Sequence, residues 1–409
     1  MPTLDTLTAD YIRLGFRLHQ HIDGYVDAYC GPPGLRDEVL GQPATPPAAL
    51  VRQADELLER VAASDYPARR RTYLEKQLIA VQTTCRQVAG ETLPYREEVR
   101  RCFDIDPAMI PEDEFDAAIE ELETLLPGAG AVRDRMVIWR QRFEVSGKQV
   151  RPLIEIIEDE LRRRTLPLYP LPAGENIEFR LVSNQPWSGY NWYYGDYRSG
   201  VDINTDLPVQ VNNLTHLIAH EAYPGHHTEH CIKEAGLYAE RGWGEHSIFL
   251  INTPEAVIAE GIANTGEKVI FAPGELAGWQ AANVYPAAGI SPDPREERIT
   301  RAAGALAGVA GNAALLLHDE GRPAEEVVRY LMRYGLVSEE RARQRLRFIS
   351  DPLWRAYIFT YFYGERMMEQ WIARGDKVER FGTLLREQIY PSLIERWVIE
   401  ENASCGVGQ

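Results

Sequence analysis

Apolar positions spaced three and four apart, with charged residues between them, run through most of this 409-residue chain and predict a succession of amphipathic helices. In the first third the pattern marks residues 9–21, where Tyr11, Ile12, Leu14, Phe16 and Leu18 supply the apolar positions, then 71–88, 113–126, 132–143 and 150–164, punctuated by Pro and Gly. Between Pro167 and Pro208 the texture changes. The stretch Asn184-Gln-Pro-Trp-Ser-Gly-Tyr-Asn-Trp-Tyr-Tyr-Gly-Asp-Tyr-Arg-Ser-Gly alternates, is rich in aromatics and turn formers, and predicts a small antiparallel sheet or hairpin. From Pro208 onward the period is helical again: a histidine-bearing helix, then 254–271, 295–318, 324–334, 338–348 and a long aromatic helix over 353–373. No repeat or low-complexity linker separates these pieces. The expectation is a mainly α, multi-helix single domain over 1–409, with N-terminal helices in 1–166, the small sheet in 167–207 and a second set of helices, the histidine-bearing one included, in 208–409.

The most apolar run, Ala302 to Leu317, carries Asn312 and three glycines and is short for a span of about 20 apolar residues, so a buried helix is expected there. The charge balance, 44 basic against 61 acidic residues for a net −17, argues against nucleic acid or an anionic membrane as a partner. Five cysteines, at 30, 85, 102, 231 and 405, lack metal-finger spacing and suggest a reducing compartment. The N-terminus has no basic stretch followed by an apolar run, which completes a cytoplasmic expectation.

Five of the nine histidines fall in the segment His216-Leu-Ile-Ala-His220-Glu221-Ala-Tyr-Pro224-Gly225-His226-His227-Thr-Glu-His230. A His followed at once by Glu on a helix is the first half of a metallohydrolase motif in which His binds zinc and Glu handles the proton. The second half departs from HExxH, because position 224 is proline. His226 lies six residues on, about 9 Å up a regular helix and facing away, so it joins His220 on one metal only if the helix is locally expanded. Pro224-Gly225 is a sequence that allows such an expansion. Three undistorted i,i+4 pairs compete: His216 with His220, His226 with His230, and His227 with Cys231.

A third ligand should arrive from another element, and Glu260 is the candidate. It shares a helical stripe with Ala256, Ala263, Asn264 and Glu267, opposite Ile258, Ile262 and Val269. Asn264 and Glu267 are placed to hydrogen-bond the ligands, and Glu255 is the next choice as ligand. Taken without the histidines, the stripe would read as a solvated face. The expected cofactor is one Zn2+ per chain.

The strings HEAYPGHH and AEGIANTGEK resemble an uncharacterised bacterial family, a domain of unknown function whose members share HExxPGHH and an EGWALYxE-like segment. More distantly they are similar to gluzincin metallopeptidases, including the carboxypeptidase Taq family. The resemblance covers residues 216–364. It implies a mostly helical carboxypeptidase-like fold around one zinc, with His220 and His226 as ligands, Glu260 as third ligand and Glu221 as general base. This chain reads Glu-Gly-Ile-Ala-Asn-Thr-Gly-Glu where the family has Trp and Leu-Tyr, which alters the expected pocket. Tyr361 matches the tyrosine of the family's Pro-x-Gln-Ala-x-x-Tyr-Lys-x-Gly region, and a phenol there can donate to a developing oxyanion. Arg355 is the candidate for binding a substrate carboxylate.

The aromatic hairpin, residues 190–197, is expected to line the cleft and to offer an edge strand to a peptide, although core packing of Trp187, Trp192 and Tyr193 explains the same residues. The run Arg341-Ala-Arg-Gln-Arg-Leu-Arg347 reads as a solvated helix face. These features together predict a zinc-dependent hydrolase of peptide or related amide bonds, in which Glu221 takes the proton of a water attacking a carbonyl and passes it to the leaving nitrogen. Hydrolysis of a small-molecule amide or ester is one alternative, and a non-catalytic protein with a closed structural metal shell is another.

Overall fold

A computed structural model describes residues 2–185 and 187–406, the last three by their backbone alone, so Pro186 of the aromatic stretch and the Cys405 side chain fall outside the described residues. The chain is mainly α, with small sheets set among the helices. The elements follow the predicted periodicity closely: Thr6–His19, Ala68–Val88, Glu112–Leu125, Val132–Gln141 and Gly147–Thr165 in the first part, then Pro254–Ile270 and Ala324–Tyr334. Further helices, among them Pro47–Ala62 and Lys377–Arg386, complete the packing, and one connected apolar core extends from Tyr11 to Ile394.

The apolar run at 302–317 is divided. Glu296–Gly304 and Val309–His318 are separate helices joined by a turn, which Gly304 and Gly308 bracket with their low helix propensity. By length and composition alone the whole Glu296–His318 stretch could cross a membrane, but half of its apolar window is buried inside the fold.

Two small sheets border the site. Strands Gly189–Gly195 and Arg198–Asn204 form the antiparallel hairpin that the alternation predicts, with Asn191 opposite Val201 and Tyr193 opposite Ser199. A third strand, Asn176–Val182, joins the hairpin in parallel and leaves Gly189–Gly195 as an edge. Elsewhere Val26–Tyr29 pairs antiparallel with Ile248–Leu250. The register slips between Val26 and Ala28, so Asp27 is the bulged residue and its side chain is free to turn toward the site.

Pro254–Ile270 is the central helix. All of its residues except Lys268 are buried, so the stripe containing Glu260 is no solvated face. It crosses the aromatic helix, Ile358–Ile372, at a contact between two glycines: a Cβ on Gly261 would sit 2.7 Å from the Gly364 carbonyl oxygen, and one on Gly364 would sit 2.5 Å from that of Val257. This close approach brings the turn before the aromatic helix, with Tyr357, over Glu260.

Candidate metal centre

The histidine segment breaks where the sequence predicts only an expansion. The first helix, Val211–Glu221, stops at Glu221. A turn through Ala222, Tyr223, the cis-linked Pro224 and Gly225 follows, and a second helix, His226–Lys233, starts at His226. Proline has no N–H to continue the ladder, so Gly225 N–H closes the gap by donating back to the Ala219 carbonyl at 2.9 Å. Any side chain at 225 is excluded, since a Cβ there would lie 1.9 Å from the carbonyl oxygen of His220. Pro224 itself packs on the central helix at Gly266, where a Cβ would come 2.7 Å from the proline ring.

The break swings His226 back beside His220. Their Nε2 atoms lie 3.1 Å apart, His220 Nε2 is 3.4 Å from Glu260 Oε2, and His226 Nε2 is 4.0 Å from Glu260 Oε1. Tetrahedral zinc with bonds of about 2.0–2.1 Å needs donor atoms roughly 3.3 Å apart, so these three donors match such an ion. His220 Nδ1 is 2.9 Å from the Asn264 amide oxygen, which can only accept, so Nδ1 carries the hydrogen and Nε2 presents its lone pair. Tyr357 donates to Glu260 Oε1 at 2.7 Å, whereas Glu260 Oε2 is buried without a hydrogen-bond partner.

Burial sets the electrostatics of these groups and disfavours their charged forms. Burial lowers His226 to about 3, with further lowering by His230 and Lys233, and burial together with the neighbouring imidazoles of His226 and His216 lowers His220 well below its ordinary value. Burial also pushes Glu260 up to about 8 despite the Tyr357 hydrogen bond, and burial with the Glu260 and Asp27 carboxylates raises Glu221 strongly. Neutral imidazoles and carboxylates short of a counter-charge are a donor set suited to a cation.

Beside these donors opens a cavity of about 610 Å3. Glu221, Tyr361, Tyr190, Asp27 and His230 line it, as do Trp354 and Arg347. Of the aromatic hairpin segment, residues 190–197, only Tyr190 and Asn191 reach the cavity, joined by Gly189 and Trp187 just before it, whereas Trp192 and Tyr194 point outward and Tyr193 stacks on His230 at 4.6 Å between ring centroids. Tyr361 stays protonated, because burial and the Glu260 and Glu221 carboxylates raise its pKa strongly.

The other candidates are engaged elsewhere. His227 is fully buried, with Nε2 3.1 Å from Glu175 and Nδ1 2.8 Å from the Ser199 hydroxyl, so its pairing with Cys231 gives no metal site with His220. His216 lies 3.1 Å from Glu267, which therefore serves His216 and not a ligand N–H; although burial lowers the His216 pKa, the Glu267 carboxylate raises it overall. Glu255 pairs with Lys233. Arg355 is a correction: its guanidinium is clamped by both oxygens of Glu98, and it is absent from the cavity wall. The cavity's arginine is Arg347, from the run that reads as a solvated face.

Sequence reasoning also missed Asp27 and the hold of Tyr357 on Glu260. Burial raises Asp27 to about 6, against the lowering effect of the hydrogen bond from the Tyr190 hydroxyl.

No family model matches the sequence, and no curated protein matches it. Among solved structures, one described as "the putative lipoprotein from Colwellia psychrerythraea" is similar with a TM-score of 0.53 and 17% identity, over 90% of this chain and 70% of that one. Another, "a putative lipoprotein of unknown function from Shewanella oneidensis", gives a TM-score of 0.49 and 13% identity, over 86% of this chain and 72% of that one. At such identities the first likeness speaks to the fold alone.

Proposed function

We propose that the protein is a zinc-dependent hydrolase of peptide or related amide bonds. The observation that carries this reading is the convergence of His220 Nε2, His226 Nε2 and Glu260 within 4.0 Å of one another beside a cavity that Glu221 also faces. His220, His226 and Glu260 would hold the metal, Asn264 fixing the His220 tautomer and Tyr357 fixing Glu260. Three protein donors leave a position open, as catalytic zinc sites do, and zinc there would acidify a water to a pKa of about 7 and polarise a carbonyl. Glu221, in a site where burial and neighbouring carboxylates favour proton uptake, is the base that accepts the water proton and returns it to the departing nitrogen. The protonated Tyr361 hydroxyl donates to the oxyanion. Arg347 takes the substrate-carboxylate role in place of Arg355, and the edge strand Gly189–Gly195 offers backbone groups to an extended peptide.

A cavity of this volume also accommodates a complete small molecule, which favours a small amide or ester as the second reading. The test pairs metal analysis with substrate length. About one zinc per purified chain, little in Glu260→Ala, and turnover that rises from dipeptides to longer peptides support peptide hydrolysis. Turnover confined to N-acyl compounds selects the second reading. A parent chain that holds no zinc at neutral pH sinks both.

A further inference from the structure

Behind Phe348 and Tyr361, which also line the catalytic cavity, lies a second cavity of about 360 Å3. Its lining is largely apolar, from Leu306, Ala307, Ala310, Ile349 and Phe362, yet two arginines, Arg140 and Arg345, belong to it. Arg140 donates one N–H to the Leu336 carbonyl at 3.0 Å. Among the described residues no carboxylate comes within 4.0 Å of either guanidinium, and the charges acting on them are those of other arginines: Arg345 and Arg341 on Arg140, Arg341 on Arg345. Burial and this repulsion lower Arg140 to about 10. Glu365 stands on the rim, but Lys268 holds its carboxylate at 2.6 Å.

This arrangement is out of character for a chain with 61 acidic and 44 basic residues. On the same helix, Arg343 is paired with both Glu325 and Glu339. Space is even kept for the unpaired charge, since a Cβ on Gly335 would come 2.8 Å from Arg345 Nη1. The partly buried Arg140 is left without an anionic partner while Arg345 stands at the exposed mouth of the same hollow, and a guanidinium fork is shaped for a carboxylate.

We propose that this second cavity binds a short apolar carboxylate, its head held between Arg140 and Arg345 and its body against Leu306, Ile349 and Phe362. The site is separate from the metal donors and does not depend on the hydrolase reading. Titration calorimetry of the full chain with octanoate, and with octanol as the neutral counterpart, tests it. Saturable octanoate binding is expected, weakened tenfold or more in Arg140→Gln and in Arg345→Gln, absent for octanol, and unchanged in Glu260→Ala, which removes the metal centre as an alternative acceptor. Arg345 stands at the exposed rim, so its variant should fold even where Arg140→Gln does not, and a thermal melt checks both. Equal binding of octanol, octanoate binding that survives Arg345→Gln in a folded chain, loss in Glu260→Ala, or no saturation at all would each overturn the proposal.

Discussion

Glu255 and Glu260 sit on the same buried helix, little more than a turn apart, and the chain treats them in opposite ways. Burial raises the pKa of both. Around Glu255 the protein supplies its own cation: Lys233 Nζ lies 3.3 Å away and 2.6 Å from Glu229, His246 Nδ1 stands 3.5 Å off, and Glu255 falls to about 2. Around Glu260 it supplies only a tyrosine hydroxyl and two neutral imidazoles, and Glu260 rises to about 8. A buried carboxylate with an internal partner is part of the frame, whereas one aimed at lone pairs is a place for something from outside.

That contrast can be broken experimentally. The largest expected effect is on chemistry: Glu221→Gln should keep about one zinc per chain while turnover falls on the order of 10^3-fold, and undiminished turnover would remove Glu221 from the role of base. Next comes Lys233→Met, which strips the internal cation from Glu229 and Glu255. It should cost about 3–5 kcal/mol in denaturant unfolding with zinc stoichiometry intact in the folded fraction; a zinc loss without destabilisation would mean that the two carboxylates are not distinct in kind. Asn264→Ala frees the His220 tautomer and should weaken zinc affinity about 10–100-fold in a chelator competition. Arg347→Ala should raise KM roughly tenfold for substrates with a free carboxylate and leave their amidated forms unchanged.

Acid sharpens the comparison further. Glu255, and Glu175, which is held at about 2 by hydrogen bonds from His227, Tyr223 and Arg162 against the opposing effect of burial, both have folded pKa values below their unfolded ones. Their contribution is therefore present above the unfolded value near 4.5 and is lost as pH falls toward 2, so the melting temperature should drop across that window. In Glu175→Gln part of this drop should disappear, and an unchanged acid profile would count against the pairing with His227.

How much of this was legible follows the distance along the chain over which each feature is built. His220 and Glu221 are one motif, and Glu260 and Asn264 are one helical turn, so local periodicity reveals them. Tyr357 reaches Glu260 from 97 positions later, and Asp27 reaches the cavity through a bulge paired with another strand. Neither is visible without tertiary pairing. Arg347 was hidden differently: the arginines of one run go to different places, and only the phase of that helix against its neighbours decides that 347 lines the first cavity and 345 the second while 343 pairs with Glu325. Similarly, Pro-Gly announces an irregularity in the histidine helix but not whether it is an expansion or a full stop. Helix Pro47–Ala62 is another matter, since Leu50, Ala54, Leu57 and Val61 carry a helical period that is legible in the sequence alone.

Gly225 touches neither imidazole with a side chain, because it has none. Even so, the spacing of the two imidazoles is set by how closely its α-carbon nestles against the His220 carbonyl. In a saturation library scored for retained zinc, position 225 should be as intolerant as the histidines on either side. Part of the recipe for this centre is thus written as a hollow, a place where the alphabet must choose nothing.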